Sequence, residues 1–312
     1  LFIIFSCANF EKNVDRENYE IHINAIRNID IFQNSLENLI LLRIEPTFIF
    51  ITYIINLFTE FNFFIYLIYA FIALASKAYS ARVFEKYSFF FLSIYLLFFS
   101  PSLEFASIRI AASLGLMFLA IYYEIKGKHW LKLFLFLLSF FFHYSSLVFL
   151  LPYFLLSKIK ISNTILTLVF FVPLFFSNII IYLISGYDRV SNYDGNVGSI
   201  YSFIYPLLFL FIQLLFLIFN SNELKNAPSF ILKLVLVELA LSGLSIGVCL
   251  KFVIFSYRIL EIQSFFYLII LFYFISIKKS LSRKSVYISL LVLILTLISI
   301  KLITEGIWKI LI

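Results

Sequence analysis

The chain has 312 residues, of which 63% are hydrophobic and only 13% charged, with a formal net charge of +7. Soluble globular chains run at roughly 45–50% apolar and about 25% charged, so a water-soluble enzyme, a nucleic-acid binder and a secreted disulfide scaffold are all excluded. Cys7 and Cys249 lie far apart in apolar surroundings and form neither a disulfide framework nor a zinc motif.

Leu1–Phe10 is apolar but too short to span, since a helix needs about 20 residues to cross the hydrocarbon core. We expect it to be the end of a first helix that has lost its start, or to follow an unusual initiation site. Residues 11–46 form the longest polar stretch, with seven acidic and four basic side chains. Within it Ile26, Ile29, Phe32, Leu36, Leu39 and Ile40 recur at helical spacing, which predicts an amphipathic helix lying on the membrane surface. Pro46 then opens a short apolar helix to Phe58, interfacial or re-entrant. Long apolar runs follow at about 61–76, 87–103, 105–123, 130–157, 161–185, 200–219, 229–250, 256–277 and 285–302. The expected fold is all-α: a polytopic inner-membrane bundle of roughly nine to ten spans. It forms one integral domain over 1–312, with the bundle proper at 47–302.

Basic clusters punctuate the runs: Lys77, Arg82 and Lys86; Lys126, Lys128 and Lys132; Lys158 and Lys160; Lys278, Lys279, Arg283 and Lys284. Lys/Arg excess in short loops marks the cytoplasmic side. Putting all four clusters there requires the 130–157 run to turn back on itself. Its most polar stretch is Phe142-His143-Tyr144-Ser145-Ser146, so we expect two short helices meeting near His143 at the outer side. One tilted helix is the alternative. Broken backbone at membrane depth is tolerated only where protein or a wet cavity surrounds it. The outer side then holds 11–46, Ser100–Arg109, the His143 turn, Gly186–Ser199, Lys251–Glu261 and the C-terminal tail.

Ionisable groups at the membrane edge cost about 2.5–3.5 kcal/mol each on insertion scales and need an explanation. Arg109 opens a long helix among small residues. It is either an interfacial anchor or a planar fork of donors for phosphate oxygens. Arg258 holds the equivalent place on a later helix, where its alternative is an ion pair with Glu261 one turn on. Lys251 could add charge to the same pocket. Two arginines at one depth fit a diphosphate. His143 could take a proton from a sugar hydroxyl or simply satisfy the open backbone of the break. Arg189 and Asp194 lie in a loop whose aromatics, acids and amides suit sugar binding and equally suit ordinary solvation. Lys233 and Glu238 share one span and could compensate each other or a neighbour. Gly243 and Gly247 fit close helix packing. Three scattered histidines give no metal-ligand spacing, and no phosphate loop, GxSxG elbow or HExxH helix is present.

The order Asp15-Arg16-Glu17-Asn18-Tyr19, Arg43-Ile44-Glu45-Pro46-Thr47-Phe48, Ser107-Ile108-Arg109-Ile110-Ala111 and Phe142-His143-Tyr144-Ser145-Ser146 resembles the EpsG family. That family is grouped with the Wzy-type polymerases of capsule, O-antigen and exopolysaccharide synthesis. Tyr257-Arg258-Ile259 resembles the family's late arginine. Thr47, where glycine is common, and Ser146, where alanine is common, depart from the pattern. The resemblance implies a glycosyltransferase at the outer (periplasmic or exterior) face of the bacterial inner membrane. Its donor and acceptor would be glycans on undecaprenyl diphosphate, with no cofactor, metal or nucleic acid. A flippase and a chain-length regulator would be its protein partners. The implied catalytic residues are Arg109, Arg258 and the base His143, with Glu45 or Asp15 as rival bases. Asp15, Tyr19, Glu45, Tyr144, Arg189, Asp194, Lys251 and Tyr257 would line the substrate. Rival readings are a flippase or transporter of lipid-linked sugar, a scaffold subunit of an export complex, and a membrane acyltransferase. The acyltransferase would want its histidine paired with a carboxylate or access to an acyl carrier from inside.

Overall fold

The computed structural model describes residues 15–27, 44–101, 103, 107–156, 162–185, 203–224, 226–249, 252–277 and 281–304. Most of the surface helix expected between Ile26 and Ile40 lies outside the described residues. The described chain is helical: α1 Asp15–Arg27, α2 Pro46–Asn56, α3 Phe63–Ser80 and α4 Ser88–Ile94. Then come α5 Ile108–Ile125, α6 His129–Phe142, α7 Leu147–Leu155, α8 Asn163–Ser185 and α9 Ile204–Leu224. The last three are α10 Ser229–Cys249, α11 Val253–Ile277 and α12 Leu281–Thr304. Among the described residues five helical stretches are long and apolar enough to cross a membrane: Phe63–Phe99, Ile108–Ile125, Ile204–Leu224, Ser229–Cys249 and Phe255–Ile277. Shorter apolar helices include Pro46–Asn56, His129–Phe142 and Tyr144–Leu155.

Contacts group the described residues into two compact units, divided after Leu147, with the chain from Ile298 returning to the first. In the first unit α3 packs along α5 through small side chains. Ala70, Ala73, Ser76 and Ser80 are buried on α3, and Ala111, Ala112, Ser113 and Gly115 on α5. The approach is close: a Cβ on Gly115 would stand 2.8 Å from the Ala73 carbonyl oxygen. Ser113 on α5 donates to the Ser139 carbonyl of α6 at 2.9 Å. Small interfaces and hydroxyl bonds of this kind hold helices together where lipid removes the hydrophobic drive for association.

Lys77 differs from the expectation that it belongs to an exposed basic loop. The helix runs on to Ser80, and Lys77 falls on the face that carries Ala70 and Ala73. It is fully buried, donates to the Ala111 carbonyl at 2.8 Å, and lies 4.7 Å from the Tyr95 ring centroid. A carbonyl and an aromatic face receive the ammonium in place of water. Arg82 and Lys86 do follow the helix in a 3-10 segment, Ala81–Tyr87, where Glu85 carries a positive φ of 51° and breaks the run. The sequence places a boundary between the runs 61–76 and 87–103, and this is its structural form.

In the second unit α8 packs on α10 at the Gly243/Gly247 pair. A Cβ on Gly243 would collide with the Phe170 carbonyl, and one on Gly247 with Ser177. Ser245 on α10 and Ser256 on α11 join by their hydroxyls at 2.8 Å. Gly243→Ala is expected to lower stability by at least about 1–3 kcal/mol through overpacking. Gly127→Ala should cost less, about 1 kcal/mol, because Gly127 has a φ of +70° but nothing near its Cβ position. Thermal unfolding of the purified protein in detergent would rank the two.

Candidate active site

The first unit assembles its polar centre from three chain breaks. Glu45 precedes α2, with Pro46 at the first helical position and extended backbone (φ −64°, ψ 137°). Proline suits that position because its missing N–H would have no helical partner. The Glu45 carboxylate does not cap its own helix; it points across to α5 and α6. Arg109 is the second residue of α5. His143 lies where α6 ends, in extended conformation (φ −161°, ψ 122°), followed by a 3-10 turn, Tyr144–Ser146, and then α7. The chain breaks at the polar stretch where the sequence places the turn, rather than running through as one helix.

Glu45 is buried and joins the other two. Its Oε2 pairs with Arg109 Nη1, and its Oε1 lies 2.6 Å from His143 Nδ1. Burial raises the Glu45 carboxyl, but the His143 hydrogen bond and the Arg109 and His143 charges outweigh it and bring it down from 4.5 to about 2. Glu45 is therefore ionised at neutral pH, and a carboxylate only accepts hydrogen bonds. Nδ1 of His143 then carries a hydrogen, and whenever the ring is neutral its lone pair is on Nε2. A carboxyl near 2 is a poor base for an alcohol proton, whereas an oriented imidazole is a competent one.

Aromatic rings close over the ion pair. The Arg109 guanidinium lies 4.7 Å from the Tyr19 ring centroid and 5.2 Å from that of Phe48. Tyr19 touches Phe48 and Tyr66, and Tyr69 touches Phe48 and Phe142. The Arg109 side chain is 12% exposed, so it is a paired interior group rather than an anchor reaching for headgroups. Its Nε is buried without a hydrogen-bond partner. Thr47 donates to the Phe141 carbonyl at 2.7 Å, so the departure from glycine ties α2 to the last turn of α6. Arg27 binds Asn56 and Asn62 at 3.1 and 2.7 Å, which holds α1, and with it Tyr19, against the α2–α3 junction.

Of the site residues expected from sequence, the structure brings together Glu45, Arg109, His143 and Tyr19. Tyr144 lies beside them, its hydroxyl 3.5 Å from the Ile44 carbonyl. Asp15 opens α1, but its side chain is outside the described residues, as are Arg189, Asp194 and Lys251. Arg258 belongs to the second unit, where its Nη1 lies 3.1 Å from Glu261. That is the intrahelical ion pair weighed against a ligand role. Tyr257 meets Tyr205 edge-on. Lys233 and Glu238 do not compensate each other: Lys233 lies over the Tyr153 ring and Glu238 accepts from Gln213. Sequence reasoning treated Glu45 as one substrate contact or a rival base and missed its bridging role, as it missed Phe48, Tyr69 and Arg27. The Glu-Pro-x-Phe string was the available signal. Among the described residues no three His, Cys, Asp or Glu side chains gather as metal ligands.

The lowered Glu45 value makes a definite pH prediction. The carboxylate's stabilisation is complete above its ordinary value of 4.5 and is lost as pH falls towards about 2. Glu45→Gln should remove that acid-dependent part and, at neutral pH, cost on the order of 3–5 kcal/mol by leaving Arg109 buried without its counter-charge. Unfolding of both proteins across pH 2–7 would check it.

No curated protein and no solved structure matches the chain. The EpsG family does, over residues 1–310. That family is associated with polysaccharide polymerisation. With long apolar helices in the fold and the match covering nearly the whole sequence, the chain is a multi-pass membrane protein that belongs to the EpsG family.

Proposed function

We propose that the first unit carries the reaction centre of a membrane glycosyltransferase that polymerises oligosaccharide repeat units linked to undecaprenyl diphosphate. The observation that supports it most is the single buried carboxylate holding a guanidinium and an imidazole together. In this reading an acceptor sugar hydroxyl gives its proton to His143 Nε2, and its oxygen attacks the anomeric carbon of the donor glycan. The bond from that carbon to the diphosphate breaks, and the lipid diphosphate leaves with the electron pair. Glu45 orients the imidazole and balances the positive charge it gains, while Arg109 faces the charge growing on the leaving group. The linkage energy is already stored in the donor, and holding two glycans at one site supplies much of the rate. The distribution of basic clusters supports a centre on the outer side of the inner membrane. Tyr19 and Tyr144 would contact sugar. A flippase delivering the substrate and a chain-length regulator are the fitting protein partners.

A membrane acyltransferase acting on surface glycans is the second reading, because the His143–Glu45 pair supplies the carboxylate that such a histidine would need. The two readings part in the cell. Deleting the gene should remove high-molecular-weight surface polysaccharide and leave single repeat units on their carrier or core. An unchanged ladder lacking only acyl groups would instead establish the second reading, and repeats trapped on the inner leaflet would establish a flippase. His143→Ala, expressed at wild-type level, should restore polymer at a rate lower by about 10²–10⁴-fold. Arg109→Ala should fail likewise.

A further inference from the structure

The second unit buries a carboxyl group that the reaction centre does not use. Glu238 stands in mid-α10, 2% exposed, among Gln213 of α9, Ser242 one turn along α10, and Gln263 of α11. Gln213 Nε2 donates to Glu238 Oε2 at 3.2 Å. Ser242 donates to Gln213 Oε1 at 2.6 Å. Gln263 Nε2 donates to the Glu238 carbonyl at 2.9 Å and to Ser242 Oγ at 2.8 Å. A backbone carbonyl only accepts, which fixes the orientation of the Gln263 amide and assigns both its hydrogens. The Ser242 hydrogen goes to Gln213. Two acceptor oxygens are left over, Glu238 Oε1 and Gln263 Oε1, each buried with no hydrogen-bond partner.

The network therefore leaves two buried acceptor oxygens that no donor reaches. An ionised Glu238 would hold a full negative charge in mid-span with only the Gln213 and Gln263 amides beside it and no cation, an arrangement that costs several kcal/mol. Among the described residues no cation is recorded beside Glu238. No Asp, Glu, Lys, Arg or His lies in α8. The titratable group α11 places beside the network is Tyr267, whose hydroxyl lies 3.4 Å from the Ile212 carbonyl of α9. The charged residue of α9 is Glu223, in its last turn, where it accepts from Tyr287 at 3.0 Å. On α10 itself Lys233 lies roughly 140° around the helix from Glu238 and covers the Tyr153 ring at 5.5 Å. On α11, Arg258 pairs with Glu261.

We infer that Glu238 is a membrane-embedded proton-binding site: its carboxyl holds the missing hydrogen while α9, α10 and α11 are packed, and release of that proton loosens the three helices. A proton on Glu238 supplies the absent donor and removes the buried charge in one step. Among the described residues no three His, Cys, Asp or Glu side chains gather here as metal ligands. The inference does not rest on the polymerase reading.

The test is infrared spectroscopy of the full chain in lipid nanodiscs at mildly alkaline pH, wild type against Glu238→Gln, in H₂O and D₂O. The expected result is a protonated-carboxyl band in the wild type that shifts in D₂O and is missing from the variant. Because Gln mimics the neutral acid in shape, Glu238→Gln should fold normally. It should also lose part of the fall in thermal stability that wild type shows as pH rises, when unfolding exposes a glutamate that ionises. No such band in the wild type would overturn the inference. So would a variant that cannot fold at neutral pH, since that would mean the network needs a carboxylate.

Discussion

The first unit depends on one buried negative charge. Glu45 is too deep to be left alone, and Arg109 is too deep to be left without it; each makes the other's burial affordable. Because the second carboxylate oxygen is taken by His143 Nδ1, the same charge also fixes the imidazole's tautomer and direction. Three separate chain breaks, before α2, before α5 and after α6, are thereby pinned to one point. The aromatic cover of Tyr19, Phe48 and Tyr69 keeps water out and strengthens the electrostatics within. Thr47 and Arg27 set the position of that cover from outside the charged centre.

Helix packing supplies the rigidity such a centre needs. Lipid gives helices no hydrophobic reason to associate, so contact rests on close approach and on hydrogen bonds. Gly115 against Ala73 and Gly243 against Phe170 provide the approach, while Ser113, Ser139, Ser245 and Ser256 provide the bonds. Lys77 shows that even an ammonium is accepted when a carbonyl and an aromatic face replace its water. In the second unit Glu238 sets the matching problem of a buried acid, met by an amide N–H and, in our inference, by a proton on the carboxyl itself.

Much of the fold was legible in the sequence because hydrophobic periodicity and breakers act locally. Pro46 marks the start of α2, the polar string at His143 marks the end of α6, and Gly243 with Gly247 marks a close contact. Lys77 was misplaced because a charged residue ends an apolar run on paper, although the helix continues and buries it. The centre was legible in part. His143, Arg109, Glu45 and Tyr19 stood out as residue types in the wrong environment. Their union was not visible, because Glu45 is separated by 64 residues from Arg109 and by 98 from His143, and no local rule pairs positions so far apart. The same limit hid the quartet around Glu238.

If Glu45-oriented His143 and Arg109 join lipid-linked glycans, the purified protein should do so unaided. The most direct measurement uses purified full-length protein and the lipid-linked repeat units that accumulate in cells lacking it, with polymer length followed over time. The wild type should form a ladder of polymer lengths. His143→Ala and Glu45→Gln, folded by the same spectroscopic criteria, should give little or no polymer. Wild-type ladders from either variant would contradict it.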